Sequence, residues 1–456
     1  MPAPRPLLVT GLLVCLAAVI GTLLTAGTQA TAPQRRTTGA WVSSPTDSGR
    51  RLLPVRAQAP ARATASVQVD PASRRQTWRG VGGALTDASV ELLDAAPDGV
   101  RRLFDPRADD GAHLDWVRLP LTATDMSPQA WTWGWDGSAA SPHPRAEQAA
   151  ALVRRLVRLR PDLQVVATPW TAPAFMKDPA GVRGGALRDD AVDQYAAMLR
   201  SQVDVLRSGG VPVAALTLGN EPGYGADYPS MTMTDAQMAR LGRMLGPALD
   251  TRRVQLWAVD HNWADRPRVD AVLAGAPGAF DAAAFHCYRG TASDMAGVGV
   301  PPVVDECTGT TSSWREGFLW DSRHLVTESL AAGSTGLVMW NLAVDPSGGP
   351  RDLASRAGCA SCRGLVTVDG TRVEPGPEFY VLAHLARAAD PGARVLGTTA
   401  SDGVDTAAFA NPDGTVGVFV HNGTGRDRVV AVRVAGRPAR SYALRDGELL
   451  TLRQGR

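Results

Sequence analysis

The chain has 456 residues, 44% of them hydrophobic and 20% charged, and a formal net charge of +2. This composition is typical of folded globular proteins and excludes bulk disorder. The nearly balanced charge excludes a dominant basic surface, so no nucleic-acid partner is expected. The length allows about two or three domains.

Residues 1–30 have the features of a secretory signal peptide. Arg5 precedes an apolar run over residues 7–24, and small residues follow it up to Ala30. A basic start, an apolar stretch and small residues at the end predict export with cleavage near Ala30. We therefore expect a secreted, extracellular protein. The alternative is an uncleaved N-terminal anchor that tethers the protein to the cell membrane.

The segment between the signal peptide and the first large domain has two parts. Residues 31–62 are rich in Thr, Pro, Arg, Ser and Ala and show no apolar periodicity, which predicts a flexible linker. From Ala65 polar and apolar residues alternate, which predicts a strand within residues 63–79.

Between residues 80 and 390, short apolar runs alternate with amphipathic segments. The strand-like runs are 114–121, 163–168, 214–218, 254–259, 282–285, 302–304 and 336–340. The helical segments include 146–158, 191–206 and 235–245, and Gly246 and Pro247 are expected to end the last one. About eight β/α units fit into this length. The prediction is an α/β fold with a (β/α)8 TIM barrel, in preference to an open doubly wound sheet.

Residues 391–456 show a different pattern. Their strand-like runs are 395–396, 405–410, 416–421, 429–434 and 440–444, separated by turn sequences rich in Asn, Asp and Gly. This pattern predicts an antiparallel β-sandwich beside the barrel. Because these strands are few, we expect the strand near Val67 to join them.

Two glutamates stand where predicted barrel strands end. Glu221 follows Ala-Leu-Thr-Leu-Gly-Asn, Glu306 follows Pro-Pro-Val-Val-Asp, and the two are 85 residues apart. That distance corresponds to about three β/α units, which places them on the fourth and seventh strands at the catalytic face. Glycosidases need such a pair, because one carboxyl group protonates the leaving oxygen while the other is ionised. The alternative is that both are strand-terminal residues that cap helices.

Further motifs are spread from residue 67 to the C-terminus. They are RGVGGALTDA at 79–88, VRLP at 117–120, TDMS at 124–127, TPWTAPAFMK at 168–177, LTLGNEP at 216–222, FHCY at 285–288, VDECT at 304–308 and VMWNLAVDPSGGP at 338–350. As a set they resemble glycoside hydrolase family 30, which includes glucosylceramidases and β-1,6-glucanases. The resemblance implies a barrel with a side β-sandwich and retaining hydrolysis of β-linked glucose. It implies no cofactor and no metal ion.

The resemblance also implies residue roles. Glu221 would be the acid/base and Glu306 the nucleophile. Arg118 would donate a hydrogen bond to the nucleophile, unless it only forms a structural ion pair inside the barrel. The residues implied to contact the substrate are Asp125, Trp170, Asn220, His286, Tyr288 and Trp340.

The segment 358–368, together with residues 286–288, looks more like the β-1,6-glucanase branch of the family than the glucosylceramidase branch. The predicted function is therefore an endo-β-1,6-glucanase-like enzyme acting on a β-glucan or β-glucoside, expected to be a monomer. The alternatives are a glucosylceramidase-type β-glucosidase and, in another class, a catalytically inactive carbohydrate-binding barrel. A metallohydrolase or serine hydrolase is disfavoured, because neither His-Glu-x-x-His nor Gly-x-Ser-x-Gly occurs.

Four cysteines outside the signal segment can form disulfides after export. Cys359 and Cys362 have Cys-x-x-Cys spacing and no second Cys/His pair nearby, which favours a local disulfide over a metal site. Cys287 and Cys307 either pair or are buried small hydrophobic residues, and we favour the second interpretation.

Two other features each leave two interpretations open. Lys177 is the only lysine in the chain, which suggests either a requirement for a compact ammonium group or chance survival. The tryptophans of residues 131–135 either extend a polymer-binding cleft or anchor the packing of their loop.

Overall fold

A computed structural model of the protein describes Met1 and residues 38–58, 63–310 and 312–455. Residues 2–30 of the predicted signal peptide and residues 31–37 and 59–62 of the predicted linker lie outside these residues. Among the described residues, no helix combines the length and apolarity that a membrane span requires.

The strands are numbered in chain order and belong to a barrel, a large sheet and three small ribbons. They are β1 (Gly39–Ser43), β2 (Leu53–Pro54), β3 (Ala65–Thr77), β4 (Gly80–Ala84), β5 (Trp116–Pro120), β6 (Gly134–Trp135), β7 (Ala140–Ser141), β8 (Gln164–Thr168), β9 (Lys177–Asp178), β10 (Ala186–Leu187), β11 (Val213–Thr217), β12 (Gln255–Asn262), β13 (Ala282–His286), β14 (Pro302–Glu306), β15 (Gly336–Met339), β16 (Ala343–Val344), β17 (Val366–Asp369), β18 (Arg372–Pro375), β19 (Arg394–Ala400), β20 (Val404–Ala410), β21 (Val416–Asn422), β22 (Arg428–Val434), β23 (Arg440–Leu444) and β24 (Leu449–Gln454).

The helices lie almost entirely between the barrel strands. They are α1 (Asp87–Ala95), α2 (Pro97–Phe104), α3 (Pro144–Leu159), α4 (Val192–Ser208), α5 (Asp235–Asp250), α6 (Arg266–Gly275), α7 (Trp314–Trp320), α8 (Ser329–Ala331) and α9 (Pro377–Ala388). Short 3₁₀ turns (Ala174–Met176, Asp189–Ala191, Trp263–Asp265, Ala292–Met295) and a π-helical segment (Asp321–Glu328) complete the helical structure of the described residues.

Eight parallel strands close into a barrel in the order β4, β5, β8, β11, β12, β13, β14 and β15. The predicted (β/α)8 barrel is therefore confirmed. Its interior is filled by side chains from these strands, with the rings of Trp116 and Trp257 5.5 Å apart. A Cβ on Gly82 would lie 2.6 Å from the Cβ of Trp116, so β4 is glycine-rich where this large side chain packs against its backbone.

Helix α5 continues past the residues expected to end it. It begins with a capping box between Thr234 and Gln237 and runs through Pro247 to Asp250. A Cβ on Gly246 would lie 2.7 Å from the Ala279 carbonyl oxygen, so this glycine permits close packing of the helix. Leu249 is fully buried in the last turn. The prediction of an end at residue 245 is wrong because tertiary packing outweighs the local preference of Gly and Pro.

The second layer is a nine-stranded sheet in the order β2-β1-β24-β21-β20-β19-β3-β22-β23, which forms the predicted side β-sandwich domain. Strand β3 precedes the barrel in the chain but pairs antiparallel with β19 and parallel with β22. Residues before the barrel thus complete a sheet built mainly from residues after it.

The predicted flexible linker is wrong for β1 and β2. Strand β1 pairs with β24 over five residues, and the side chains of Ala40 and Val42 are buried in the sandwich core. A strand of five residues is too short to show a clear period in sequence, and its order comes from pairing with a distant strand.

Helix α9 connects the two domains. His384 lies within hydrogen-bond distance of the Thr451 hydroxyl on β24 (2.9 Å) and the Ser43 hydroxyl on β1 (2.8 Å). Burial lowers the pKa of His384 to about 3, and the positive charge of Arg387 adds to this effect. A neutral histidine therefore joins the barrel to the sandwich.

Candidate active site

The candidate site lies at the carboxyl ends of the barrel strands. Glu306 is the last residue of β14, His286 is the last residue of β13, and Glu221 follows β11. In a (β/α)8 barrel this end forms the catalytic face. The structure brings the two predicted glutamates together here, on the fourth and seventh barrel strands.

The carboxylates of Glu221 and Glu306 face one another. An oxygen of each and His286 Nδ1 all lie within 4.8 Å of one another. His286 Nδ1 is 3.2 Å from Glu221 Oε1 and 3.5 Å from Glu306 Oε1. Two carboxyl groups about 5–5.5 Å apart suit attack by one on an anomeric carbon, whereas a water between them needs about 6.5–9.5 Å. The separation therefore favours a carboxylate as the nucleophile.

An irregular stretch of β12 shapes this end of the barrel. Val259 and Asp260 have φ values of 67° and 68°, and the pairing with β13 shifts register there. Glu221 has a φ of 47°, and its N–H donates to the Asp260 carbonyl at 2.9 Å. Left-handed backbone is unfavourable for residues other than glycine and concentrates at functional sites. Here it brings Asp260 to Arg118 and His261 to within 4.0 Å of Glu221.

Arg118 is the fully buried cation at the centre of the site. Its guanidinium donates to the Glu306 carboxylate, and Nη2 donates to Asn220 Oδ1 and Asp260 Oδ1, each at 2.8 Å. Its Nε lies 3.5 Å from Asp305 Oδ2. Burial alone would lower the pKa of Arg118, but the charges of these acids raise it above its ordinary value. The sequence left two roles open for Arg118, a donor to Glu306 and a structural ion pair inside the barrel. In the structure its contact with Glu306 is both.

His286 is the second buried base. Its Nε2 lies 2.7 Å from Asp260 Oδ1, and its Nδ1 faces Glu221. Burial opposes the charged form, but Glu306, Asp260 and Glu221 together raise the pKa of His286 well above its ordinary value. Burial would likewise raise the pKa of Glu221, but the hydrogen bond from His286 and the charges of His286 and His261 lower it. Both shifts favour a proton on His286 over a proton on Glu221.

Aromatic rings form the walls beside these charges. The ring centroids of Trp170 and Trp340 are 5.2 Å apart, and the Arg118 guanidinium lies 4.7 Å from the Trp170 ring centre. The Tyr288 hydroxyl donates to Glu306 Oε1 at 2.9 Å. Tryptophan faces can stack on the C–H face of a sugar, and carboxylates and amides bind its hydroxyls. The arrangement is suited to a pyranose ring above the two glutamates.

Asp125 lies at the edge of this pocket, after β5. Its Oδ2 accepts a hydrogen bond from the Cys359 N–H at 3.1 Å. Burial raises the pKa of Asp125 to about 7; the Cys359 N–H opposes the rise, and the charges of Glu306 and Glu221 add to it. The electrostatic influence of both glutamates places Asp125 in the same site.

Two family models match this chain. A glycosyl hydrolase family 30 TIM-barrel domain matches residues 78–297, and a glycosyl hydrolase family 30 beta sandwich domain matches residues 392–448. Together they cover more than half of the sequence. The chain belongs to glycosyl hydrolase family 30. It is therefore a retaining glycoside hydrolase, which confirms the family and the enzyme class predicted from its motifs.

Individual relatives of this family 30 enzyme cover most of both chains. It is 27% identical over 405 residues to endo-1,6-beta-D-glucanase neg1 of Aspergillus fumigatus, spanning 78% of this chain and 81% of that protein. It is 26% identical over 404 residues to the lysosomal acid glucosylceramidase of Mus musculus, spanning 79% and 77%. The solved structure of the endo-beta1,6-glucanase BT3312 matches with a TM-score of 0.83 and 20% identity over 92% of this chain and 99% of that one, a likeness that shows the fold.

The family 30 site contains residues that the sequence analysis missed. Asp260 and His261 follow the run 254–259 directly, so the signal that identified the glutamates could have identified them too. Tyr228 is buried against the two tryptophan rings. Burial raises its pKa above the ordinary value, and Glu221, Asp125 and Glu306 add to the rise, which places its hydroxyl near all three acids. Only folding brings Tyr228 to this position.

Both cysteine pairs of the family 30 enzyme are disulfides. Cys359 and Cys362 are joined, with Cα atoms 5.5 Å apart. Cys287 and Cys307 are also joined, with Cα atoms 5.3 Å apart, so the favoured prediction of unpaired buried residues is wrong. The residues follow adjacent parallel strands, β13 and β14, and the strand spacing brings their side chains within bonding distance.

The structure describes the surroundings of the loop tryptophans and of Lys177, the two features whose interpretation the sequence left open. Trp131 donates to Asp87 Oδ2 at 2.7 Å and stacks on His143, and Trp133 is buried, so these two tryptophans anchor their loop, whereas Trp135 is partly exposed. Lys177 is buried and donates to Thr171 Oγ1 (2.6 Å) and the Ser230 carbonyl (2.8 Å). Burial lowers the pKa of Lys177 to about 8.

Two sets of side chains have spacings that a metal ion could use. They are Glu221 with His286 and Glu306, and Asp260 with His286 and Asp305. Arg118 already contacts Asp260, Asp305 and Glu306, so its charge compensates the acids of both sets. We therefore assign these residues to acid–base chemistry.

Proposed function

We propose that this enzyme is a secreted endo-β-1,6-glucanase that acts by double displacement, with Glu306 as nucleophile and Glu221 as acid/base. The observation that carries the proposal is the separation of these two carboxylates, whose facing oxygens lie within 4.8 Å. The linkage is supported by relatives named as endo-1,6-beta-D-glucanases.

In the first step Glu306 attacks the anomeric carbon and the leaving oxygen departs. Arg118 and Tyr288 donate to the two oxygens of Glu306, which fixes the carboxylate in position for attack. Glu221 gives a proton to the departing oxygen. In the second step Glu221 takes a proton from water. The water oxygen attacks the anomeric carbon, and the bond between that carbon and Glu306 breaks.

His286 supplies the proton that Glu221 needs. The charge of Glu306 is a major reason why His286 is protonated in the free enzyme. Bond formation to the sugar neutralises that charge, so the pKa of His286 falls as the reaction proceeds. The proton can then pass from Nδ1 to Glu221 over the 3.2 Å hydrogen bond. Proton transfer from His286 to Glu221 is thus coupled to bond formation between Glu306 and the sugar.

The remaining substrate contacts complete a glucose subsite. Trp170 and Trp340 lie against the sugar, Asn220 and Asp125 bind its hydroxyls, and Tyr228 closes the same wall. Export is supported by the sequence of residues 1–30, with an uncleaved anchor as the alternative, and we propose a monomer. A catalytically inactive carbohydrate-binding barrel is disfavoured, because both glutamates have the partners that catalysis needs.

The test combines a substrate panel with active-site labelling. We expect hydrolysis of β-1,6-glucan to exceed that of β-1,3-glucan, glucosylceramide and aryl β-glucosides, and a mechanism-based fluorosugar to label Glu306. Glu306→Gly should abolish hydrolysis and, with azide, give a glycosyl azide of inverted configuration. Glu221→Ala should retain activity on good leaving groups and give the retained azide. The exposed Glu91→Gln serves as control and should behave as wild type.

Labelling of another residue would overturn the assignment of the nucleophile. Preference for glucosylceramide would replace the glucanase by a glucosylceramidase-type β-glucosidase. Undiminished sugar binding with no turnover in the wild type would favour the inactive barrel.

A further inference from the structure

The loop after the last barrel strand packs beside Trp170 and Trp340 and is held there by polar contacts. The Ser355 hydroxyl donates to Asp227 Oδ1 at 2.5 Å, and the N–H groups of Arg356 and Ala357 donate to the same carboxylate at 2.8 and 3.0 Å. Asp227 belongs to the loop that follows Glu221. The loops after the fourth and eighth strands are therefore joined outside the pocket.

The turn closed by the Cys359–Cys362 disulfide belongs to the same loop. Cys359 and Cys362 pack in the same apolar cluster as Trp170 and Trp340. The Cys359 N–H donates to Asp125 Oδ2, and a Cβ on Gly358 would lie only 3.2 Å from the Cβ of Asp125. The turn thus lies in close contact with Asp125.

We propose that the turn closed by the Cys359–Cys362 disulfide is a positioning element for the substrate: it holds the Cys359 N–H on the Asp125 carboxylate, so that opening the disulfide weakens glucan binding. The proposal rests on the proposed function, in which Asp125 binds a sugar hydroxyl. It assigns the turn an effect on KM, with the reacting groups Glu221 and Glu306 unchanged.

A purely stabilising role fits this disulfide less well than the other one. Cys359 and Cys362 are three residues apart, whereas Cys287 and Cys307 are 20 apart. A cross-link restricts the unfolded chain more when the loop it closes is longer. The short bridge contributes less to global stability, and what it controls is the shape of four residues beside Asp125.

The ionisation of Asp125 provides a readout that a merely structural turn would not change. The titratable groups that face Asp125 are Glu221, Glu306 and the Tyr228 phenol. Against the burial and the negative charges that raise the pKa of Asp125, the Cys359 N–H favours the charged form. Loss of this donor should raise the pKa further, so that weaker binding at low pH extends to higher pH.

The experiment is a double-mutant cycle on the full-length enzyme with a soluble β-1,6-glucan. We expect Cys359→Ser/Cys362→Ser to raise KM about tenfold, the effect of losing one hydrogen bond to a charged group, with kcat within about threefold. Asp125→Asn should also raise KM, and adding the two cysteine changes to it should have little further effect. Of these variants, only the cysteine variant should show a pH dependence of KM that is displaced to higher pH.

Cys287→Ser/Cys307→Ser is the matched control, since it removes the longer disulfide. It should lower the thermal midpoint without shifting the pH dependence of KM. If the serine variant of the short bridge fails to fold, dithiothreitol treatment of Cys287→Ser/Cys307→Ser opens the short bridge in a chain that lacks the longer one, and alkylation with mass spectrometry shows that Cys359 and Cys362 are free.

Effects of Asp125→Asn and of the cysteine pair that add in full would overturn the proposal, as would an unchanged KM after opening the short disulfide. Failure of the wild type to hydrolyse β-1,6-glucan would instead defeat the proposed function. The two failures are therefore distinguishable.

Discussion

Two histidines of this enzyme are both completely buried, yet their surroundings shift their pKa values in opposite directions. His286, in the active site, faces carboxylates, which raise its pKa well above the ordinary value despite burial. His384, between the barrel and the sandwich, faces two hydroxyls, and burial lowers its pKa to about 3. The contrast shows that burial sets the cost of a charge, while the partners decide whether that cost is met.

The same contrast separates the two regions in function. At the catalytic end of the barrel, Arg118 and His286 are surrounded by four acids, Glu221, Asp260, Asp305 and Glu306. These groups can carry charge and exchange a proton. At the junction of the domains, His384 contacts the hydroxyls of Ser43 and Thr451, which fix its position without charge. Each prediction below changes one side of this comparison.

The largest effect is expected for Arg118→Met. Removing the cation leaves Asp260, Asp305 and Glu306 buried without their partner, which should lower the free energy of unfolding by about 3–5 kcal/mol. Activity should fall by about 10³-fold, because the nucleophile loses its donor. Denaturant unfolding and glucan hydrolysis measure the two effects.

Arg101→Met is the matched control, because Arg101 forms exposed ion pairs with Asp98 and Asp110. It should cost less than about 1 kcal/mol. Equal effects of the two substitutions would show that the buried charges are not held by Arg118.

A smaller effect is expected for Asp260→Asn, which keeps the shape but removes one charge beside His286. The pKa of His286 should fall, and kcat should decrease by about 10- to 100-fold because less of the enzyme carries the proton for Glu221. Histidine NMR titration and the pH dependence of kcat check both results. Asp265→Asn, which changes the partner of His261 and not of His286, should leave the His286 titration in place.

The smallest effect is expected at the domain junction and concerns stability alone. The folded-state pKa of His384 is about 3, below the ordinary 6.5, so the unfolded chain binds more protons between these values. The contribution to stability is complete above pH 6.5 and is lost as pH falls; between pH 7 and pH 5 the loss is about 2 kcal/mol. His384→Gln should lack this dependence and keep wild-type kcat. Parallel stability curves for wild type and variant from pH 7 to pH 5 would contradict it.

Much of the architecture could be predicted because it depends on local sequence patterns. Short apolar runs spaced by amphipathic helices identified the barrel, and Glu221 and Glu306 stood out because a charged residue directly follows a buried strand. The side strand near Val67 was recognisable from its alternation. Such features depend on neighbours in sequence.

What could not be predicted depends on distant partners. Strand β1 is ordered by pairing with β24, and the Cys287–Cys307 bond by the spacing of two adjacent strands. Tyr228 reaches the site through the course of a long loop. The role of Asp260 rests on a left-handed backbone in β12, for which Val259 and Asp260 give no residue-type signal.

Strand β24 lies between β1 and β21 in the sheet and follows both of them in the chain. Synthesis proceeds from the N-terminus, so β1 emerges early and its partner β24 emerges about 400 residues later. The barrel strands can assemble before β24 has emerged, whereas the sandwich can close only after it. A ribosome stalled near residue 440 would therefore hold a barrel beside an open sheet edge, a state that invites pairing with other chains.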